Sequence, residues 1–308
     1  VYKRQMQEDG IAAETVMPIT VLAATLPKQT LQVTEWFYCD CLATYYRVPV
    51  WSEEHWRIIE SYLQTAADNG INTILTPIFT PPLNAFVGVN GPTVQLIDVE
   101  KTADGWRFGF DRFVRWVELC NRVGVEYFEI AHLFTQWGAE HAPKIVAKVD
   151  GVEKQVFGWE TDSLSDEYIT FLRAFLTSFT ERLRALGIAE RCWFHISDEP
   201  NFRHMERYRA VKTAIADILE GFPIMDALSD FEFYKTGTVT NPIPASDHIE
   251  PFLEAGVPGL WTYYCCGQSV DVSNRYIAMP SSRTRVIGMQ LWKYNIAGFL
   301  PVSYTHLT

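Results

Sequence analysis

The sequence has no apolar run of the roughly 18 residues that a membrane-spanning helix needs. Its longest apolar stretch, 16–26, is shorter and is interrupted by Pro18. Acidic residues precede this stretch at the place where a signal peptide carries positive charge: Glu8, Asp9 and Glu14. We therefore interpret 16–26 as a strand followed by a linker, and we expect no membrane association.

Strong basic patches are also missing. The chain carries a net charge of -11, and Glu206 interrupts its densest group of arginines, which is Arg203, Arg207 and Arg209. On a helix, this mixture of signs is typical of a solvated face. An acidic protein needs a local basic patch to bind nucleic acid, and an acidic surface is repelled by anionic lipid headgroups. We expect neither nucleic acid nor a membrane as a partner.

Cysteine is scarce. The chain has six cysteines and no CxxC pair, so the usual zinc and thioredoxin spacings are absent. The neighbouring residues Cys265 and Cys266 could form only a strained disulfide. We interpret the cysteines as reduced thiols that act as small core residues, which favours a cytoplasmic protein.

Several catalytic and cofactor-binding motifs are missing as well. The sequence contains no G-x-S-x-G elbow, no G-x-G-x-x-G, no P-loop and no HExxH. Serine hydrolase, dinucleotide-binding and nucleotide-binding functions are therefore unsupported. His132 and His141 could donate to a ligand, but their spacing does not favour a metal site. We expect no cofactor and no metal.

What the sequence does contain is an alternation of strand and helix patterns across residues 31–300. Ser52 and Ser165 are placed to cap amphipathic helices, and 71–75, 125–130 and 192–197 read as buried strands. A hairpin across Asp104–Gly105 is expected inside one long connection. The count is eight strands. This favours an α/β fold, a (β/α)8 TIM-type barrel with its last strand truncated near Pro301.

The ends of the chain suggest non-native sequence. Residues 1–5 (VYKRQ) and 301–308 (PVSYTHLT) resemble translated sequencing-adapter tails. We expect 301–308 to be a non-native tail and both natural termini to be absent. Residues 6–30 read as the end of a preceding module.

Active sites of such barrels form at the carboxyl ends of the strands. Asp198 and Glu199 directly follow the fourth predicted strand, and His132 follows the third. His195 lies within the fourth strand and reads as a core histidine. Further candidates at strand ends are Asp226 on the fifth strand and Trp261, Tyr263 and Tyr264 on the seventh.

The neighbouring carboxyl groups of Asp198 and Glu199 are the sharpest feature. Glycoside cleavage needs one group that protonates the leaving oxygen and another that meets the cation developing at the anomeric carbon. Adjacent side chains point to opposite faces of a strand, but a turn at the strand's end brings both to one cleft. The pair suits a mechanism in which the substrate's own 2-acetamido oxygen is the nucleophile. Alternatively, both acids only stabilise the amino terminus of the following helix.

Aromatic side chains near the strand ends have two possible roles. Trp261 and Tyr263 share one face of their strand, and this face either stacks on a sugar or fills the interior. Trp137 lies in a long loop, where a large aromatic is harder to explain as core, so a binding role is favoured slightly.

Four segments together resemble the catalytic domain of glycoside hydrolase family 123. They are Phe194–Pro200 (FHISDEP), Gly138–Lys144 (GAEHAPK), Trp261–Cys265 (WTYYC) and Asn274–Tyr276 (NRY), and the similarity extends over about residues 30–300. The resemblance implies a cofactor-free, retaining β-N-acetylgalactosaminidase that acts on a glycan or glycoconjugate. Asp198 would orient and stabilise the acetamido group, and Glu199 would act as general acid and then as base.

The resemblance also bears on domains and on substrate contacts. Residues 1–30 would be the end of a missing amino-terminal β-sandwich module with its linker, and 31–300 the catalytic barrel. The proposed substrate-binding residues are His132, Trp137, His141, Trp261, Tyr263, Tyr264 and Asn274. The sequence does not distinguish galactosamine from glucosamine, which differ in the direction of one hydroxyl.

Two alternative functions stay open at this point. One is a barrel glycosidase with two separated carboxylates, Glu199 as acid and Asp226 or Glu232 as nucleophile. The other is a non-catalytic glycan-binding barrel that keeps the cleft.

Overall fold

The computed structural model describes residues 2–8, 11–25, 27–83 and 91–301 and divides into two compact units, Val1–Thr30 and Leu31–Thr308. The first unit contains an antiparallel pair of strands, β1 (Tyr2–Glu8) and β2 (Ile11–Met17). The assignment of 1–30 to a β-sandwich module stays a prediction. Of the predicted non-native tail, residues 302–308 lie outside the described part of the chain.

The second unit alternates strands and helices. Its first half comprises β3 (Gln32–Val33), α1 (Cys39–Tyr46), α2 (Glu53–Asp68), β4 (Thr73–Thr76), β5 (Asp98–Thr102), β6 (Gly105–Gly109), α3 (Asp111–Val123), β7 (Tyr127–Ile130), β8 (Ile145–Val149) and β9 (Val152–Phe157). Its second half comprises α4 (Asp166–Ala185), β10 (Cys192–Phe194), α5 (Met205–Thr213), β11 (Met225–Ala227), α6 (Glu232–Lys235), β12 (Asn241–Ile243), α7 (Glu250–Glu254), β13 (Trp261–Thr262), α8 (Ser281–Lys293) and β14 (Gly298–Phe299).

The parallel strands of this unit are joined in three groups. Hydrogen-bonded ladders run in the orders β4–β7–β10, β11–β12 and β13–β14–β3. Single parallel bridges join Thr34 to Thr73, Phe194 to Ile224 and Ala245 to Tyr263. The strand predicted to be truncated, β14, is two residues long and pairs with β13 on one side and with β3 on the other. The architecture is a mixed α/β fold.

Local sequence signals explain the best predicted helices. Ser52 caps α2, its hydroxyl accepting a hydrogen bond from the backbone N–H of His55 at 3.2 Å. Trp51 and Trp56 pack with ring centroids 5.1 Å apart, the contact expected of a hydrophobic staple across this helix start. Helix α4 packs against the core through one buried aromatic face. This face consists of Tyr168, Phe171, Phe175 and Phe179.

A second sheet interrupts the alternation, and the sequence predicted only half of it. The expected hairpin across Asp104–Gly105 is present as β5 and β6. Its first strand is predicted at 94–99 from the sequence and is observed at Asp98–Thr102. The hairpin of β8 and β9 was not predicted, and it completes a four-stranded sheet in the order β6–β5–β8–β9. Its turn, Asp150–Gly151, has positive φ at both residues, 52° and 81°, as a type I′ turn requires.

The interior also accounts for the cysteines and for one glycine. All six cysteines are free, and Cys39, Cys120 and Cys192 are buried. A Cβ atom at Gly298 would lie 2.0 Å from the indole of Trp261, so only glycine lets that ring pack against β14. Among the described residues, none of the helices is both long and apolar enough to cross a bilayer.

Candidate active site

The Asp198–Glu199 pair lies where the chain leaves β10 and runs beside its neighbouring segments. The backbone N–H of Leu133 donates to the carbonyl of His195, and that of Glu199 donates to the carbonyl of Ala227. The N–H of Trp137 donates to the carbonyl of Asp198 at 2.8 Å. The loop after β7 and the end of β11 therefore fix the backbone of the pair from both sides.

Asp198 presents a buried carboxyl group with an open position. The residue is 8% exposed, and its Oδ1 atom has no hydrogen-bond partner in the described part of the chain. Burial, and secondly the negative charge of Glu199, raise the pKa of Asp198 well above its usual range, whereas the charge on His195 lowers it. A buried acceptor without a donor is costly, so this atom is suited to receive one from a ligand.

Glu199 differs from its neighbour in exposure and in partners. It is half-buried and has a φ of 44°, in the left-handed region that a glutamate seldom adopts. The Tyr263 hydroxyl donates to its Oε1 atom at 2.6 Å. Backbone strain of this kind persists only where the surroundings impose it, and it concentrates at functional sites. The turn here redirects the second carboxyl group relative to the first.

A buried charged cluster lies next to the pair. The Nε2 atom of His195 is 2.7 Å from Glu129 Oε1, and its Nδ1 atom is 3.2 Å from Asp226 Oδ1. His195 is 1% exposed, and both carboxylates are fully buried. Burial disfavours the imidazolium, but hydrogen bonds to Asp226 and Glu129 and their charges outweigh it and raise the pKa of His195 to about 10.

Further donors surround both carboxylates of this cluster. Glu129 accepts from the Thr34 hydroxyl at 2.6 Å and from the Trp36 indole N–H at 2.7 Å. Asp226 accepts from the Tyr208 hydroxyl and from the backbone N–H of Ile196 at 3.0 Å. Burial raises the pKa of Asp226, yet every group bonded to it is a donor, an arrangement that favours the carboxylate.

His132 stacks on His195 with ring centroids 4.3 Å apart and an angle of 14° between the planes. Neither of its ring nitrogens has a hydrogen-bond partner in the described ranges. Burial, and then the charge on His195, hold the pKa of His132 well below its usual range, so the ring is neutral.

Donor atoms of His132, His195 and Asp226 lie within 4.8 Å of one another, close enough to be considered as metal ligands. This set fits a cation poorly. Both nitrogens of His195 already face carboxylates, and nearly parallel stacked rings do not direct their lone pairs at one point.

The structure brings some of the predicted substrate-binding residues to the pair. Tyr263 contacts Glu199, and His132 stacks on the cluster beside Asp198. The backbone N–H of Trp137 donates to the carbonyl of Asp198, and the residue is 52% exposed. His141 is connected to this loop, since its N–H donates to the Thr135 hydroxyl at 3.1 Å.

Other predicted residues have surroundings of their own. Trp261 is 5% exposed and packs edge-on against Trp193 at 5.3 Å. Tyr264 packs on Phe299 at 5.1 Å. The side-chain amide of Asn274 donates to the carbonyls of Cys265 and Gln268 and thereby shapes its own loop. Substrate contact by Trp261, Tyr264 and Asn274 stays a prediction.

Glu129, Tyr208, Thr34 and Trp36 were not predicted as part of the site. One signal was available for Glu129, because a carboxylate inside an apolar strand such as 125–130 must have a buried partner. Nothing local marks the other three, whose partners lie 18 to 95 residues away in the chain.

Comparisons with a protein-family model and with solved structures agree with the resemblance seen in the motifs. The model of the glycoside hydrolase family 123 catalytic domain matches residues 36–308. The structure resembles that of a family 123 glycoside hydrolase from Clostridium perfringens, studied for glycolipid glycan hydrolysis, with a TM-score of 0.67 and 18% identity. The alignment covers 92% of this chain and 52% of that chain, so this chain spans about half the length of that enzyme.

An endoglucanase catalytic domain from Thermobifida fusca aligns over 90% of this chain and 80% of that one, with 9% identity and a TM-score of 0.44. No curated protein matches. The family model covers most of the sequence. The chain therefore belongs to glycoside hydrolase family 123, and the resemblance seen in its motifs is confirmed.

Proposed function

We propose that this family 123 glycoside hydrolase removes terminal β-linked N-acetylgalactosamine by substrate-assisted, retaining hydrolysis. The observation that carries the proposal is the asymmetry of the adjacent carboxyl groups. Asp198 is buried with an open acceptor atom, whereas Glu199 is half-buried and held by the Tyr263 hydroxyl. These are the surroundings expected of a group that binds the acetamido N–H and of a group that exchanges protons with the leaving oxygen and with water.

The mechanism has two steps. In the first, the acetamido oxygen attacks the anomeric carbon while Glu199 donates its proton to the departing glycosidic oxygen. Asp198 accepts the acetamido N–H and stabilises the positive charge that forms on the bicyclic oxazolinium intermediate. In the second, the Glu199 carboxylate takes a proton from a water molecule, whose oxygen attacks the anomeric carbon and breaks its bond to the acetamido oxygen. This second inversion at the anomeric carbon restores the β configuration of the substrate.

The arrangement argues against the two separated carboxylates considered above. Asp226 is fully buried and bonded to His195 and Tyr208, so its oxygens do not face a cleft. Glu232 lies on α6 and pairs with Lys235 at 2.8 Å on the surface. Neither is placed to attack an anomeric carbon opposite Glu199.

We extend the proposal to the architecture and to substrate contacts. The three parallel bridges connect the three strand groups end to end, which supports a closed (β/α)8 barrel with the catalytic pair at its carboxyl end. His132, Trp137 and Tyr263 are the substrate-binding candidates best supported by position. The substrate is a glycan or glycoconjugate, and the class includes glycolipid glycans, whose hydrolysis was studied in the family 123 glycoside hydrolase from Clostridium perfringens.

A panel of nitrophenyl β-glycosides tests this function. Hydrolysis confined to 2-acetamido sugars, fastest with N-acetylgalactosamine, is the expected result. Matching activity on plain galactosides or glucosides would replace the proposal with a two-carboxylate mechanism, and inactivity on every sugar would favour a glycan-binding role. A thiazoline mimic of the oxazolinium intermediate should inhibit the active protein competitively.

A further inference from the structure

We propose that His195 is a positioning residue whose fixed positive charge, held between Glu129 and Asp226, favours the ionised form of Asp198 during catalysis. The inference deepens the proposed function and rests on it. In that mechanism Asp198 must be a carboxylate when positive charge forms on the acetamido group, although its surroundings favour the neutral acid. A buried cation close by supplies the opposing influence.

The first argument is geometric. Both nitrogens of the His195 ring face carboxylate oxygens, at 2.7 Å and 3.2 Å, so both act as donors and the ring carries a proton on each. Glu129 also accepts hydrogen bonds from Thr34 and Trp36, and Asp226 also accepts one from Tyr208. With its acceptors and donors matched in this way, the cluster holds its charges in place.

The second argument is the charge balance. Two carboxylates and one imidazolium give the cluster a net charge of minus one beside Asp198. Without the cation, and with both carboxylates still ionised, the same site would carry minus two. With Glu129 neutralised and His195 still paired to Asp226, it would carry none. Because the site is buried and its charges are only weakly screened, each change in the cluster charge should shift the pKa of Asp198 strongly.

The surroundings of this system contain further titratable groups. His132, from the loop after β7, stacks on His195 and is neutral. On α5, Tyr208 is bonded to Asp226 through its hydroxyl, and Lys212 interacts with the charge of Asp226. Glu199 is the residue next to Asp198, and its charge raises the pKa of Asp198. Burial, and then the charges of Glu199 and Asp198, raise the pKa of Tyr263, which directly follows β13. Burial and the charges of Glu199, Asp226 and Glu129 raise the pKa of Asp198, whereas the charge on His195 lowers it.

The experiment changes the cluster charge in two opposite directions. His195→Gln removes the cation, and Glu129→Gln removes one anion without altering side-chain length. The measurement is the pH dependence of kcat/KM with nitrophenyl N-acetylgalactosaminide, whose good leaving group limits the contribution of proton donation by Glu199. The acid limb of the profile then reports ionisation of Asp198.

We expect the acid limb to move to higher pH in His195→Gln and to lower pH in Glu129→Gln, each by about one pH unit. Tyr208→Phe removes a neutral donor from the same cluster and is the matched control, for which no comparable shift is expected. A structural role alone would lower the rate in all three variants without moving the limb in opposite directions.

Two outcomes would overturn the inference. One is an acid limb at unchanged pH in a folded Glu129→Gln protein, which tests the idea even if His195→Gln does not fold. The other is an acid limb that survives in Asp198→Asn, since the limb would then belong to another group. Failure of the proposed function is seen separately, as loss of the preference for 2-acetamido sugars in the unmodified protein.

Discussion

The charge on buried His195 makes a quantitative prediction about stability. Its pKa is raised to about 10 in the folded chain, compared with an ordinary value of 6.5. A group whose pKa is higher in the folded state contributes stability that is fully present below the unfolded pKa and is lost as the pH rises through the folded one. The window is therefore pH 6.5 to about 10.

The magnitude follows from the size of the shift. At about 1.36 kcal/mol per unit, a rise from 6.5 to about 10 corresponds to roughly 5 kcal/mol of folding free energy. Domains of this kind have a total stability of about 5–15 kcal/mol, so the loss is large enough to measure. It should appear as a slope of about -1.4 kcal/mol per pH unit within the window.

Denaturant unfolding at a series of pH values measures this directly. Lysines, tyrosines and exposed thiols also titrate near pH 10, so the useful quantity is the difference between the native protein and His195→Gln. That difference should be largest near pH 6 and should shrink steadily towards pH 10. If the two proteins lose stability in parallel across the window, His195 is not a buried imidazolium and the charge assignment is wrong.

Three further predictions concern the proposed catalytic pair. Glu199→Gln should reduce kcat/KM about 10²- to 10⁴-fold for a natural glycoside but far less for a nitrophenyl substrate, and equal losses would exclude Glu199 as the general acid. Asp198→Asn should slow both substrates yet raise the melting temperature at pH 7. The reason is that a carboxyl group with a raised pKa costs stability above its unfolded pKa, so the gain should vanish near pH 3.5, and calorimetry at both pH values checks this. Tyr263→Phe should lower kcat about ten- to a hundredfold with little effect on KM, because Glu199 loses a hydrogen bond; unchanged steady-state kinetics would show that the hydroxyl does not hold the acid.

The sequence predicted the features of the fold that depend on local periodicity. Helices α2 and α4 follow their caps and apolar stripes closely, and β10 and β11 fall within the predicted strands. The alternation of strand and helix patterns also predicts a strand at about 237–240, and the structure has it slightly later, as β12 at Asn241–Ile243. Pro242 within it obscured the strand pattern, since proline cannot donate to a ladder.

The site was predictable only in part, and for a different reason. The position of Asp198 and Glu199 at a strand end was predictable, because it is a property of the chain order. The burial of Trp261 could not be predicted. The alternation of side chains assigns each residue to a face of the strand, but it does not show how far from the strand's end, and so how deep in the interior, the residue lies. The hairpin of β8 and β9 was missed although Asp150–Gly151 signals a turn, because β9 is mostly polar and exposed and gives no apolar pattern.

The positions of these residues along their strands explain both the buried aromatics and the charged cluster. On β7, β10 and β13, residues two apart share a face. Tyr127, Trp193 and Trp261 form an aromatic layer, with Trp193 stacked on Tyr127 at 5.4 Å and edge-on to Trp261. Two residues further along, Glu129 lies on β7, and His195 and Tyr263 directly follow β10 and β13. An apolar layer on one side of the charges keeps water away from them and strengthens their mutual attraction. Trp261, for which the sequence left open a role in sugar stacking or in filling the interior, thus lies in the apolar layer next to the buried imidazolium of His195.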